Sequence, residues 1–195
     1  MQKGGRGFPT LQFMDAEGNT LAEPAGREVK DFEATLKQLA ELEDLRARIA
    51  KGEKGLEAKL FLAELEMGKY GFEEAKEKAK QFPKLTAEQK KRVAKLLLNA
   101  EVNDLLGKIT SEEAMLETAV RMKELLDEGR IPDGEAGDGF WSILMDWADR
   151  NSDAGVFEKA LAALKAKYGE EEGAKAYFDR QEARLKEMKE GQGEG

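Results

Sequence analysis

Among its 195 residues the sequence has no cysteine and no histidine. Without cysteine there is no disulfide, no thiolate metal site and no thiol nucleophile. Without histidine the chain lacks the commonest general base and the commonest neutral metal ligand. The two absences together exclude Ser-His-Asp and Cys-His catalysis and most zinc sites. Aromatic residues are scarce at 7% while charged residues reach 37%. That balance suits long surface helices better than a sandwich or barrel. Apolar runs stop after a few residues, as at Leu96-Leu97-Leu98, so no membrane span is expected. The net charge is -8, and lysines are spread among glutamates, so no concentrated basic face and no nucleic-acid partner are expected. Met1-Gln2-Lys3-Gly4-Gly5 lacks the apolar core of a signal peptide, and a soluble, by default cytoplasmic, chain is expected. No motif singles out a catalytic pair among the 40 acidic residues. Neither an enzyme activity, nor a cofactor, nor a metal is expected.

Only the first segment has the period of a strand. Leu11 and Phe13 alternate with Thr10, Gln12 and Met14, which predicts a strand from Thr10 to Met14. Asp15 to Asn19 supplies turn residues, including Gly18 for positive φ. Thr20 to Glu23 reads as the partner strand, and Pro24, with no N–H to donate, places it at a sheet edge. From Glu28 to about Lys51 the period becomes helical. Val29, Phe32, Leu36, Leu39, Leu42 or Ala40, Leu45 and Ile49 form its expected inner face. Gly52 and Gly55 follow and mark the expected boundary between two regions.

The remainder reads as a succession of helices. Leu56 to Met67 is expected to turn Leu56, Leu60, Ala63 and Met67 inward, and Phe72 to Phe82 ends at Pro83. Thr86-Ala87-Glu88-Gln89 is a capping-box pattern for a helix to about Leu106. Thr110-Ser111-Glu112-Glu113 is a second, for a helix to about Glu128. Gly129 to Gly139 is expected to be a loop, with Asp138 capping a short helix that carries Phe140, Trp141, Leu144 and Trp147. Those aromatics are expected in the core. The acidic stretch from Asp133 to Asp138 has Asp138 sixth and Leu144 twelfth, where a calcium-binding EF-hand needs Gly and Glu. A solvated, capping linker is expected instead. The next helix runs from about Ser152 to Tyr168, with Val156, Phe157, Ala160, Leu161 and Leu164 inward. The last spans about Glu170 to Glu190, its three opening glutamates favouring the helix dipole. Residues 191–195 are expected to be a disordered tail. The pair from Leu56 to Phe82 is weakly similar to a tetratricopeptide repeat, but no fixed period recurs, so an irregular helical domain is expected.

Gly7-Phe8-Pro9-Thr10, the strand after it, the Asp15-Ala16-Glu17-Gly18 turn, the second strand, Gly26 and the amphipathic helix occur in one order. That order resembles the C-terminal half of a thioredoxin-like domain. In that family a Gly-x-Pro-Thr segment places a cis-proline beside the redox site. The resemblance implies that Gly7, Phe8 and Pro9 are substrate-contact positions, with Phe8 offering backbone hydrogen bonds to an extended peptide. The family's Cys-x-x-Cys helix and its neighbouring strands have no counterpart.

The expected fold is therefore mostly α, α+β overall. Residues 1–51 would form a partial thioredoxin-like hairpin plus helix, and residues 52–190 an irregular helical domain of about seven helices. The expected function is a non-catalytic protein-interaction or scaffold module. The alternative is the C-terminal fragment of a thiol-disulfide oxidoreductase whose redox half is absent from this chain. Without its central neighbour, the strand from Thr10 to Met14 would leave backbone groups unpaired. A protein or peptide partner, or homodimer pairing through that edge, is expected to satisfy them.

Overall fold

The computed structural model describes residues 11–24 and 26–192, with the backbone alone at Gln192. These hold strands β1 (Phe13–Met14) and β2 (Thr20–Ala22), followed by α1 (Val29–Ala50), α2 (Glu57–Glu66), α3 (Phe72–Ala79) and α4 (Ala87–Gly107). Four more helices complete the order: α5 (Glu112–Asp127), α6 (Gly134–Arg150), α7 (Ala154–Tyr168) and α8 (Ala174–Gln192). The chain is mostly α, with one small antiparallel sheet. It divides into two compact units, Met1–Val93 and Ala94–Gly195. The glycines at 52 and 55 join α1 to α2, and both helices lie in the first unit.

In the first unit, Phe13 pairs with Ala22 and Met14 with Thr20, with an irregular register between them. That irregularity interrupts the ladder, so both strands are shorter than expected; Leu11, Gln12 and Glu23 fall outside them, and Thr10 lies outside the described residues. The Asp15 carboxylate fixes the turn, accepting from the Asn19 backbone N–H at 2.7 Å and from its side-chain amide at 2.8 Å. The two bonds from Asn19 hold that carboxyl below its usual range. The Phe13 ring meets the Phe32 ring of α1 edge-on, at 6.0 Å between centroids.

α1 begins where expected, with the Glu28 backbone N–H donating to Asp31 Oδ2 at 3.1 Å. Its inner face is Thr35, Leu39, Leu42 and Leu45. Val29 and Leu36, expected inside, are 74% and 53% exposed. The face is rotated because Thr35 can be buried: its hydroxyl donates to the Asp31 carbonyl at 2.9 Å, so the burial cost of a polar group is met locally. α1, α2 and α5 end alike, with Gly52, Gly68 and Gly129 at positive φ. At the first of these, Gly52 N–H bonds Ile49 O at 2.9 Å and Glu53 N–H bonds Arg48 O at 3.1 Å. These are the two bonds of a Schellman stop, whose left-handed residue favours glycine.

On α2 the buried side chains are Phe61, Leu62 and Leu65, with Leu56 just before the helix. Leu60, Ala63 and Met67 are only half-buried. Leu60 to Ala63 is apolar around most of a turn, so spacing alone does not choose the inner face. α3 stops at Ala79 and buries Ala75 alone. Phe82 lies beyond it but stacks on Phe61 at 5.0 Å.

In the second unit α5 packs on α6, α6 on α7 and α7 on α8. Phe140, Leu144, Phe157, Ala160, Met122 and Leu125 are fully enclosed, and Trp141 and Trp147 pack on the margin of the same core. Val156, Phe157, Ala160, Leu161 and Leu164 all face inward, as their spacing predicts. Three boundaries differ from expectation. Ser111 caps α5, its hydroxyl accepting from Ala114 N–H at 3.2 Å, so the Ser register is used and not the Thr110 one. α6 begins at Gly134 rather than after Asp138. Its internal glycines permit close approach: a Cβ on Gly137 would stand 3.0 Å from the Pro132 carbonyl oxygen, and one on Gly139 2.4 Å from Leu106 Cδ1. α8 begins at Ala174, after Glu170, Glu171 and Glu172 and a left-handed Gly173, and runs through Gly191 to Gln192. The expected tail therefore starts within α8; residues 193–195 lie outside the described residues.

Candidate functional site

Gly7, Phe8 and Pro9, the substrate-contact positions implied by the resemblance, lie outside the described residues. The site that the described residues do build is a groove of about 360 Å³ in the first unit. Three helices supply it. Gln38 and Glu41 are one turn apart on α1. Lys59, Leu62, Ala63 and Glu66 follow the i, i+3, i+4, i+7 spacing of one face of α2, and Glu88, Gln89 and Arg92 come from the opening turns of α4. The spacing on α2 was present in the sequence, but it mixes charge with apolar residues and so resembles neither a core face nor a motif.

Leu62 is buried and Ala63 half-buried, giving the groove an apolar floor. Its rim is charged. Arg92 forms an ion pair with Glu66, tying α4 to α2. Gln89 is fixed by the capping box expected for α4: its side-chain oxygen accepts from Thr86 N–H at 2.9 Å, and its own N–H donates to Thr86 Oγ1 at 3.2 Å. Glu41 and Glu88 make no ion pair among the described residues, nor does Lys59. With three carboxylates against two cations in the lining, and one of each already joined, the open rim is weakly anionic. The capping box keeps Glu88 at a helix N-terminus, where its charge is favoured.

The groove's lining contains no serine, threonine or tyrosine, and its ionisable groups are the carboxylates of Glu41, Glu66 and Glu88 with the cations of Lys59 and Arg92. Among the described residues no group of three or more acidic side chains is placed to hold a metal ion. Every buried side-chain polar atom among them has a hydrogen-bond partner. Among the described residues no helix is long and apolar enough to cross a membrane.

The second unit also gathers charge, but in pairs that hold helices together. The Glu101 carboxylate on α4 is 9% exposed. It accepts from Arg121 at 3.2 and 2.6 Å and from Arg130 at 2.9 Å, joining α4 to α5 and to the turn after it. Asp138 on α6 accepts from the Tyr168 hydroxyl at 2.6 Å and from Lys167 at 2.5 Å. That carboxylate, accepting from the hydroxyl, and burial both push the Tyr168 phenol above its ordinary range. Both carboxylates tie helices together, Glu101 from a nearly buried position and Asp138 from a partly exposed one.

No protein-family model matches the chain, and no curated protein or solved structure matches it.

Proposed function

We propose that the chain is a non-catalytic protein-interaction module, of thioredoxin-like derivation with a helical extension, whose first unit takes an extended partner segment into the α1–α2–α4 groove. The observation that carries this reading is the groove's lining. An apolar floor with a partly paired, weakly anionic rim suits a peptide that buries an apolar side chain on Leu62 and sets a basic one between Glu41 and Glu88. Rim charges of this kind set specificity and on-rate more than affinity. The derivation is supported by the order hairpin then helix, and by the packing of Phe13 on Phe32.

Selection of a displayed peptide library on the whole protein tests this function. Recovered peptides should share a basic residue and lose binding to the Glu41→Lys, Glu88→Lys double variant. An empty selection, or peptides indifferent to that variant, would refute the reading. The alternative of an oxidoreductase fragment also leaves this cysteine-free chain inert in an insulin-reduction assay; an in-frame Cys-x-x-Cys segment in the coding sequence upstream of Met1 would distinguish it. Self-association along residues 10–14 is a second route to a partner, favoured by the sheet's having two strands among the described residues and by the 38% and 42% exposure of Leu11 and Met14. Sedimentation equilibrium over a wide concentration range would give a single monomer mass if that route is wrong.

A further inference from the structure

In the second unit, α5 carries two large apolar side chains on the side turned away from the core. Its buried residues are Thr118, Ala119, Met122, Leu125 and Leu126, whereas Leu116 and Val120 are 39% and 53% exposed. Four positions apart, these two stand one above the other as a short apolar ridge. Valine is a poor helix former, and at this position it gains no place in the unit's core in return.

Carboxylates border the ridge, and helical spacing puts them there. Glu112 and Glu113 lie four and three residues before Leu116, and Glu117 and Glu124 lie three before and four after Val120. All four are exposed. Glu112 is joined to Arg150 and Glu124 to Arg121, but Glu113 and Glu117 make no ion pair among the described residues. Lys123, the cation that borders Val120, is held by Asp127. The ridge is therefore flanked by two uncompensated negative charges.

α6 extends the apolar surface. Arg150 at its end bonds Glu112 at the start of α5 at 2.5 Å, so the two packed helices run antiparallel. Trp147 is three residues before Arg150, on the same side of α6, and Leu116 is four after Glu112. That register brings Trp147 to the level of Leu116. Trp147 is only partly buried against the core, which leaves part of its indole open beside the ridge.

We infer that the outer face of α5 docks a basic amphipathic helix of a partner protein, its apolar side chains on Leu116 and Val120 and its cations at Glu113 and Glu117. The inference goes beyond the α1–α2–α4 groove, which lies in the other unit and takes an extended segment. A ridge of residues four apart packs into the groove between the side-chain rows of a second helix. The sign of the flanking charge opposes a nucleic acid or an anionic lipid surface, both of which need cations here.

The test is fluorescence anisotropy on the full chain, in physiological salt, with a fluorescein-labelled peptide of lysine, alanine and leucine whose leucines recur three and four apart. The Leu116→Gln, Val120→Gln variant should bind it at least about tenfold more weakly, since two apolar contacts lose their partners. The Glu113→Lys, Glu117→Lys variant should weaken it by about fivefold or more, and raised salt should act in the same direction. All four side chains are exposed, so the circular dichroism of both variants should match the parent's. Glu170→Lys, Glu171→Lys makes the same change in net charge at an exposed site away from α5 and should keep the parental affinity. The groove variant Glu41→Lys, Glu88→Lys should keep it as well. No binding at millimolar protein, or equal affinity of the glutamine variant, would overturn the inference. So would a matching loss in the Glu170, Glu171 variant, which would assign binding to net charge alone, or in the groove variant, which would assign the peptide to the groove. If library peptides still depend on Glu41 and Glu88, the interaction-module reading survives any of these failures.

Discussion

Replacing Gly139 by alanine sets two effects of similar size against each other. Inside α6 alanine is worth about 1 kcal/mol over glycine, which gives up more backbone freedom on entering a helix. The new Cβ, however, would stand 2.4 Å from Leu106 Cδ1, 3.2 Å from Cδ2 and 3.3 Å from Cγ. Contacts so short cannot persist, so Leu106 must leave its rotamer or α6 must draw away from the end of α4. Overpacking of this kind costs about 1–3 kcal/mol. Taking the middle of that range, Gly139→Ala should destabilise the protein by about 1 kcal/mol net. Leu106→Ala alone should cost about 2 kcal/mol, the low end for a leucine truncation, because Leu106 is only partly buried against the core. With Leu106 shortened, alanine at 139 has room and should return about 1 kcal/mol. The four proteins therefore close a cycle with a coupling of about 2 kcal/mol, well above the scatter of independent sites. Urea titrations at a common m-value read it directly. A coupling within about 0.5 kcal/mol of zero, or a single Gly139→Ala variant more stable than the parent, would show that Leu106 does not impose the glycine.

Those same glycines explain why part of the fold was hidden in the sequence. Gly129, Gly134, Gly137 and Gly139 together read as a loop, because glycine is a poor helix former. Three of them, Gly134, Gly137 and Gly139, lie in α6, and at the last two Pro132 and Leu106 come too close for a larger residue, a proximity that is tertiary and invisible to local pattern. α7 shows the opposite case: Val156, Phe157, Ala160, Leu161 and Leu164 keep strict helical spacing between charges, and all five are buried. α1 lies between the two, with correct ends and a rotated face, since counting apolar residues overlooks Thr35. Two caps were legible to within a residue, and that of α6 was not, since Asp138 was expected and Asp133 precedes the helix. Thr86 and Gln89 bond reciprocally as their spacing predicts, whereas at the next helix Ser111 serves rather than Thr110. The groove was not legible, because three separate helices contribute to it and none of its residues is unusual for a solvated helix face.

Three further outcomes follow from named contacts. Phe140→Ala should lose about 3–5 kcal/mol in chemical denaturation, because the ring is completely enclosed in the second unit's core. Ser111→Ala should cost about 1 kcal/mol by the same measurement while Thr110→Ala stays within about 0.5 kcal/mol; equal effects would contradict the assigned cap. Asp133 gives a pH dependence. Its carboxylate bonds Lys95 at 2.5 Å and Asn99 at 2.7 Å, and these partners hold its carboxyl below the usual range. A carboxyl depressed in the folded state stabilises the protein fully above its unfolded value, near 3.8, and that contribution is lost as pH falls through the lower folded value. Asp133→Asn keeps a good helix-capping residue but removes the charge. The variant should therefore be less stable than the parent at neutral pH, and the gap should shrink as acid is added below about pH 4. Stability curves followed by circular dichroism that stay parallel down to the lowest pH would mean that the bonds from Lys95 and Asn99 do not distinguish the folded carboxylate from the unfolded one.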